Sequence, residues 1–401
     1  MNKTSDKKSL LSIKKPVLQG LVVVIVFALG LGIGSERISL GQSVYRDSLQ
    51  SSNQKLDYAG VEEVYSKLQQ GFDGQLDAEK LEDGLKEGLV KAAGDPFTEY
   101  LNAEQSAELE EQLSGSFQGI GAELSKEEQS IIIVSPIAGF PAEKAGLKAR
   151  DIISKIDGES AYDISVSDAV NKIRGEKGTV VKLEVIRDGS VLNFDITRDQ
   201  ISIPSVTSEI TADNIGIIEI SRFGDDTVSL VNQAALDMKA KNVKGVVLDM
   251  RGNPGGLLDA SVGVANIWLP RGSTVLEEKR GDKVVKTFKA TNNPVLNGVP
   301  TVVLVNEGSA SASEIVAGAL RDNNAATIIG EKTFGKGSVQ ELRQLNDGGT
   351  LKVTIARWFT PGGRNIDKEG IEPDQKVEIT EEQAKAEQDP QKDAAITKLK
   401  N

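Results

Sequence analysis

The chain has 401 residues, 39% of them hydrophobic, with 40 glycines, a formal charge of −12 and neither histidine nor cysteine. That length and apolar content allow two or three folded domains with buried cores, and the acidic balance argues against a nucleic-acid partner. Missing atoms exclude more: without thiols or imidazoles there are no disulfides, thiolate nucleophiles, zinc–thiolate sites or Ser-His-Asp triads.

Val17 to Gly34 is an apolar run broken only by Gln19, preceded by Lys3, Lys7, Lys8, Lys14 and Lys15. A run of that length spans a bilayer as a helix, and the lysines place residues 1–16 in the cytoplasm and all that follows outside. The competing reading is a cleaved signal peptide, which would release a secreted form, but the run exceeds a usual signal core and Gly32-Ile33-Gly34-Ser35 is a poor cleavage site. Gly30 and Gly34 form a small-residue pair that fits helix pairing, although glycine is common in spans generally. Residues 35–57 read as a polar linker.

Residues 58–115 read as a small helical region. Val61, Val64, Tyr65, Leu68 and Phe72 repeat at helical spacing, and Leu81, Leu85 and Leu89 form a second stripe. Such a region either packs on the main body or pairs two copies into a homodimer. Asp95-Pro96-Phe97 punctuates its end.

Residues 116–200 read as a β-rich unit. Ile131 to Val134 and Val180 to Ile186 are strand candidates, and Asp188-Gly189 is a hairpin signal leading into Val191 to Ile196. Ser167 to Arg174 fits a helix with Ser167 as N-cap and Gly175 at its end. The Phe117-Gln118-Gly119-Ile120-Gly121 turn can converge backbone N–H groups on a carboxylate. Together with Ser135-Pro136 and Pro141 to Leu147, this order of features resembles a PDZ domain. The resemblance implies that Gly119, Ile120 and Gly121 hold a peptide's C-terminal carboxylate while the peptide adds as a strand. Arg174 is either a cation suited to a helix C-terminus or a coupling residue between peptide binding and the next domain.

From Val206 to Glu378 strands and helices alternate. Ile215 to Ile220, Val243 to Asp249, Val299 to Val305 and Ala325 to Ile329 read as buried strands, and Val228 to Lys241 and Leu257 to Ile267 as helices. That order predicts an α/β layered domain over 201–380, with Leu351 to Phe359 as a further strand. Residues 381–401 read as a charged tail, helical at the surface or frayed.

The chemistry concentrates where the Val302 to Val305 strand passes through Asn306-Glu307-Gly308 into Ser309-Ala310-Ser311-Ala312-Ser313-Glu314. A helix beginning there directs free N–H groups and the positive dipole end outward, with the Ala312 N–H available to an oxyanion. Helix capping would account for an isolated run of such serines. Phe334-Gly335-Lys336-Gly337-Ser338-Val339-Gln340 alters that reading, because a lysine buried between glycines loses its ammonium preference and becomes a base for serine. Gln340 is placed to orient the Lys336 amine without adding charge. Lys332, on the same side, is the alternative base. Gly255 and Gly256, after the Val243 to Asp249 strand, offer a second oxyanion donor or form a plain turn. Gly330-x-x-x-x-Gly335-Lys336 also spells most of a phosphate-binding loop, but Gly337 stands where a Ser or Thr is needed.

These motifs, with Gly94 to Tyr100, Leu248 to Gly256, Thr360-Pro361-Gly362-Gly363 and Gly370 to Asp374, closely resemble the carboxyl-terminal processing peptidases (tail-specific proteases) over roughly residues 60–380. The resemblance implies an α/β multidomain chain: an N-terminal helical region, a PDZ-like domain and a peptidase domain similar to the crotonase and caseinolytic-protease folds. It implies a serine endopeptidase with Ser311 as nucleophile, Lys336 as base, Gln340 positioning it, and Gly256 and Ala312 as oxyanion donors. Its partners would be protein or peptide tails, with no metal, cofactor or nucleic acid. The alternative is a membrane-tethered PDZ scaffold with an inactive peptidase body.

Overall fold

The computed structural model describes residues 56–400. The Val17 to Gly34 span and its flanks lie outside the described residues, and among those described no helix is long and apolar enough to cross a membrane. The chain divides into two units, one ending at Asp77 and one beginning at Ala78.

The first unit contributes the helix Ala59–Gly71, none of whose residues is buried. The sequence grouped its apolar stripe with that of the following helix, Ala78–Lys91, yet the division falls between them. The second helix is fastened within its own unit by polar contacts: Lys86 Nζ donates to Asp347 Oδ2 at 2.5 Å, and the Tyr100 hydroxyl donates to Asp83 Oδ1 at 2.7 Å.

The β-rich unit forms as expected. Its main sheet orders the strands 122–127, 130–136, 152–156, 180–187 and 190–197 around a core that includes Ile131, Ile133, Val181, Leu183 and Val185. Asp188 and Gly189 both adopt positive φ, 49° and 76°, the backbone of a tight hairpin whose twist matches its strands. The helix runs Val166–Ile173, and its N-cap is Ser165, not Ser167. Ser165 Oγ accepts from the Asp168 N–H at 3.0 Å, so the Ser-x-x-Asp capping box starts the helix two residues earlier.

The α/β domain centres on a six-stranded sheet in the order 206–210, 215–220, 245–249, 301–305, 327–330 and 375–376, parallel except at its first strand. Its central strands read as near-continuous apolar runs because both faces are covered. Ile218, Ile220, Val246, Leu248, Val303 and Val305 face the core shared with the helices Thr227–Ala240, Leu258–Ala265 and Ala312–Asp322. Ile215, Ile217, Val247, Val302, Leu304 and Ile329 face the other way, against Ala395 of the helix Pro390–Lys400.

The charged tail is thus helical, as expected, but it packs on the sheet instead of lying free at the surface. Ala394, Ala395, Ile396 and Leu399 cover one sheet face, a stripe too short to stand out among the surrounding charges. The tail is also pinned by Arg251, whose guanidinium donates to Asp249, Asp389 and Gln391. A second, antiparallel sheet carries the strands Ser338–Gln344 and Thr350–Phe359, extended by the short strand Glu99–Leu101.

Candidate active site

Three backbone turns meet at the C-terminal ends of the parallel strands, the usual place for a site in an open α/β sheet. Leading from strand 301–305, the turn 306–311 is held by Asn306, whose Oδ1 accepts from the N–H groups of Gly252 and Gly308 at 2.8 and 3.1 Å. The three serines then separate. Ser309 Oγ donates to the Met250 carbonyl at 2.8 Å and Ser313 Oγ to the Asn253 carbonyl at 3.0 Å; both residues are fully buried. Ser311 is partly exposed, with φ 53° and ψ −110°, outside the region an L-residue favours. Its neighbours are held by carbonyls of an adjoining turn, whereas Ser311 stands at the helix N-cap position with that strained backbone.

The Asp249 to Gly256 turn lies against it. Asn253 is fully buried: Nδ2 donates to the Ile220 carbonyl at 2.7 Å, Oδ1 accepts from the Gly255 N–H at 2.9 Å, and its carbonyl accepts from Ala310 N at 3.0 Å. The Gly255 N–H is thereby committed, whereas the Gly256 and Ala312 N–H groups have no protein acceptor among the described residues. Gly256 has φ 142°, and a Cβ there would lie 2.1 Å from the Phe223 carbonyl oxygen, so only glycine fits.

The lysine loop closes the site. Its backbone is held by Trp358 Nε1, which donates to the Lys336 carbonyl at 3.0 Å, and by the Lys368 N–H, which donates to the Gly335 carbonyl at 2.8 Å. Neighbouring backbone closes over both flanking glycines: a Cβ on Gly335 would meet Gly370 N at 2.8 Å, and one on Gly337 would meet Asp367 N at 2.6 Å. Ser311, Ala312, Gly256, Lys336 and Gln340 line one cavity of about 240 Å³. Leu109, Leu113, Leu258, Ile315 and Leu342 supply apolar wall. The Lys336 amine lies 5.4 Å from the centroid of the Phe97 ring and makes no hydrogen bond among the described residues. Burial first, and the like charge of Lys352 second, push its pKa below the ordinary lysine value, against the opposing pull of Glu99 and Glu314. Lys332 lies outside this cavity, paired with Glu372 at 3.1 Å. The loop runs into a strand and not a helix, so the resemblance to a phosphate-binding loop ends there.

Glu314 is a site residue the sequence reading missed. Its fully buried carboxylate accepts from Ser311 N at 2.8 Å, Thr333 Oγ1 at 2.5 Å, Gly335 N at 2.8 Å and Lys336 N at 3.0 Å, tying the serine turn to the lysine loop. Burial pushes its pKa up despite those four donors. The available signal was the Ser-x-x-Glu spacing from Ser311, a capping-box pattern. The Asp95-Pro96-Phe97 segment, read as punctuation, also brings the Phe97 ring against the Lys336 amine.

In the PDZ-like unit Ile120 is buried and Gly121 has φ 74°; the N–H groups of both lack acceptors among the described residues. Arg174 caps the end of helix Val166–Ile173, with its guanidinium 4.9 Å from the Phe117 ring. Its Nη1 donates to Glu111 Oε2 at 2.5 Å. Glu111 belongs to the helix Ala103–Ser114, which also carries Leu109 and Leu113 of the cavity wall.

A serine in a strained strand-to-helix turn that shares a cavity with a half-buried lysine and two uncommitted N–H groups fits a hydrolase of the acyl-transfer class. Comparison with known proteins agrees: residues 214–377 match the peptidase family S41 and residues 118–197 a PDZ domain. The chain is 40% identical over 362 residues to the carboxy-terminal processing protease CtpA of Bacillus subtilis (strain 168), covering 90% of this chain and 76% of that protein. It is 37% identical to a probable CtpA-like serine protease of Staphylococcus haemolyticus (strain JCSC1435), covering 89% of this chain and 71% of the relative. Among solved structures, the photosystem II D1 C-terminal processing protease aligns with a TM-score of 0.49 at 31% identity, covering 80% of this chain and 87% of that one. The chain belongs to the carboxy-terminal processing proteases of peptidase family S41, PDZ-containing peptidases of the serine type.

Proposed function

We propose that the peptidase cuts protein chains near their C-termini by a Ser311–Lys336 mechanism. Lys336 Nζ, as the free amine, takes the Ser311 hydroxyl proton while Oγ attacks the scissile carbonyl. The oxyanion is received by the N–H groups of Gly256 and Ala312. Lys336 returns the proton to the leaving amine as the C–N bond breaks and an ester forms on Ser311. A water, deprotonated by Lys336, then attacks the ester, the C–O bond breaks and Ser311 recovers its proton. Gln340 orients the amine.

The observation that carries this reading is the strained Ser311 backbone in one cavity with a half-buried Lys336 of lowered pKa. No Ser311–Lys336 hydrogen bond is formed among the described residues, and substrate closure is expected to make it. The cavity's leucine and isoleucine wall suits an apolar side chain beside the scissile bond. The substrate tail is read by the PDZ unit, its terminal carboxylate on the Gly119 to Gly121 turn, with Arg174 relaying occupancy to helix Ala103–Ser114. Val17 to Gly34 anchors the chain in the cell membrane with the peptidase outside, and the N-terminal helices pair two copies.

The deciding experiment is cleavage of a peptide with an apolar C-terminal tail. Ser311→Ala is expected to abolish cleavage, while Ser309→Ala and Ser313→Ala retain part of it. A Ser311→Ala protein that still cleaves would overturn the assignment.

A further inference from the structure

A glutamine amide has an acceptor end and a donor end, and only one of them can orient a basic amine usefully. Nothing in Gln340 itself selects that end. Gln340 stands directly opposite Thr354 in the sheet register, next to an irregularity at Val339. Its Nε2 donates to Ser338 Oγ at 2.7 Å and to Thr354 Oγ1 at 3.4 Å. Both N–H bonds are thereby directed into the sheet, and Oε1 is left to accept from Lys336.

The direction of those bonds is imposed from further away. Thr354 Oγ1 donates to Asp95 Oδ2 at 2.6 Å, and Thr98 Oγ1 donates to the same oxygen at 2.5 Å while accepting from Thr354 N at 3.1 Å. An ionised carboxylate only accepts, so Thr354's single proton must point at Asp95 and its lone pairs at Gln340. Burial opposes the ionisation of Asp95, yet the hydroxyls of Thr354 and Thr98 outweigh it and hold the carboxyl below its usual range.

We propose that Asp95, acting through Thr354, is a positioning residue that fixes which end of the Gln340 amide faces Lys336. This rests on the Ser311–Lys336 reading. With the amide reversed, Nε2 would donate into the lone pair that must take the Ser311 proton, and Lys336 would lose its function as base. The chain segment that carries Asp95 also lays Phe97 over the amine. One short stretch preceding the PDZ unit thus completes the base, while the other charges facing Lys336 (Lys352, Glu99 and Glu314) stay in place.

The test measures kcat, KM and the pH–rate profile of the full chain on a tail peptide, for wild type, Thr354→Val, Thr354→Ser and Asp95→Asn. Thr354→Val is expected to lose about tenfold or more in kcat with KM nearly unchanged, a share of what a positioned base contributes. Thr354→Ser, which keeps the hydroxyl, should retain most activity. Asp95→Asn has the same shape but can donate to Thr354, so it should be impaired as much as Thr354→Val. In both impaired variants the ascending limb should move to lower pH as the plateau falls, because a donor facing the amine favours its neutral form. Mere loosening would admit water and move that limb to higher pH.

Wild-type kinetics in Thr354→Val, a limb shifted to higher pH, or equal damage in Thr354→Ser would each overturn the proposal. If Thr354→Val fails to fold, Asp95→Asn decides by the same criteria. Cleavage by Ser311→Ala would instead overturn the underlying mechanism.

Discussion

Replacing Glu314 with glutamine probes the joint between the serine turn and the lysine loop. The carboxylate accepts four hydrogen bonds, two on each oxygen: Thr333 Oγ1 and Gly335 N on Oε1, Ser311 N and Lys336 N on Oε2. An amide must present its NH₂ to one of these pairs. Facing Ser311 and Lys336, it opposes two backbone donors that cannot turn. Facing Thr333 and Gly335, it opposes only the Gly335 N–H, since the Thr333 hydroxyl can rotate and accept. The second orientation wins and sets one amide N–H against the Gly335 N–H, leaving both unpaired, at a cost of about 1–3 kcal/mol.

Burial works in the other direction. Glu314 has a raised folded pKa, so its contribution to stability is full below the unfolded value and is lost as pH rises through the folded one. At neutral pH the uncharged amide recovers part of that loss. The net destabilisation is about 1–2 kcal/mol, a fall in Tm of roughly 2–8 °C for a domain of this size. Activity should fall further, because misplacing reacting groups by about 1 Å can cost 10²-fold. Calorimetry and peptide cleavage on the same preparations check both numbers. A Glu314→Gln enzyme with wild-type kcat and an unchanged Tm would refute the view that this carboxylate joins the two catalytic loops.

Three other outcomes are expected. The kcat/KM of the wild type should rise with pH along a limb centred below the unperturbed lysine value of about 10.4, because burial and Lys352 lower the pKa of Lys336. Between the folded and unfolded values the unfolded chain binds more protons, so Lys336→Met should abolish cleavage yet raise Tm at neutral pH; an unchanged or lower Tm would contradict the burial argument. Asp389→Ala removes the tail's carboxylate from Arg251 but leaves Asp249 in place. It should cost about 1–2 kcal/mol in a denaturant titration, less than a fully buried pair because the site is partly exposed, and an unaltered midpoint would show that the tail is not held there.

Much of the fold was legible because local rules agreed with tertiary need. Ile215 to Ile220 is apolar but for Glu219 and forms a strand with those bounds, covered on both faces. Asp188-Gly189 makes its hairpin because only residues tolerant of positive φ can. The Ser165 N-cap was missed by two positions because two serines compete there and the decisive hydrogen bond comes from Asp168. The tail was read as helical, but its packing role was not seen because its four apolar residues gain meaning only from the sheet face they cover.

The absence of histidine and cysteine, the glycine-flanked lysine and the serine run before a helix determined the class of chemistry by themselves, because they are statements about which atoms exist and in what order. Which serine is strained and which two are buried, that Gly255 is committed while Gly256 is free, and that Glu314, Asp95 and Thr354 converge on the site were decided only in three dimensions. Hydrogen-bond partners distant in sequence set those roles, and a donor's partner is a matter of position in space that no local pattern records.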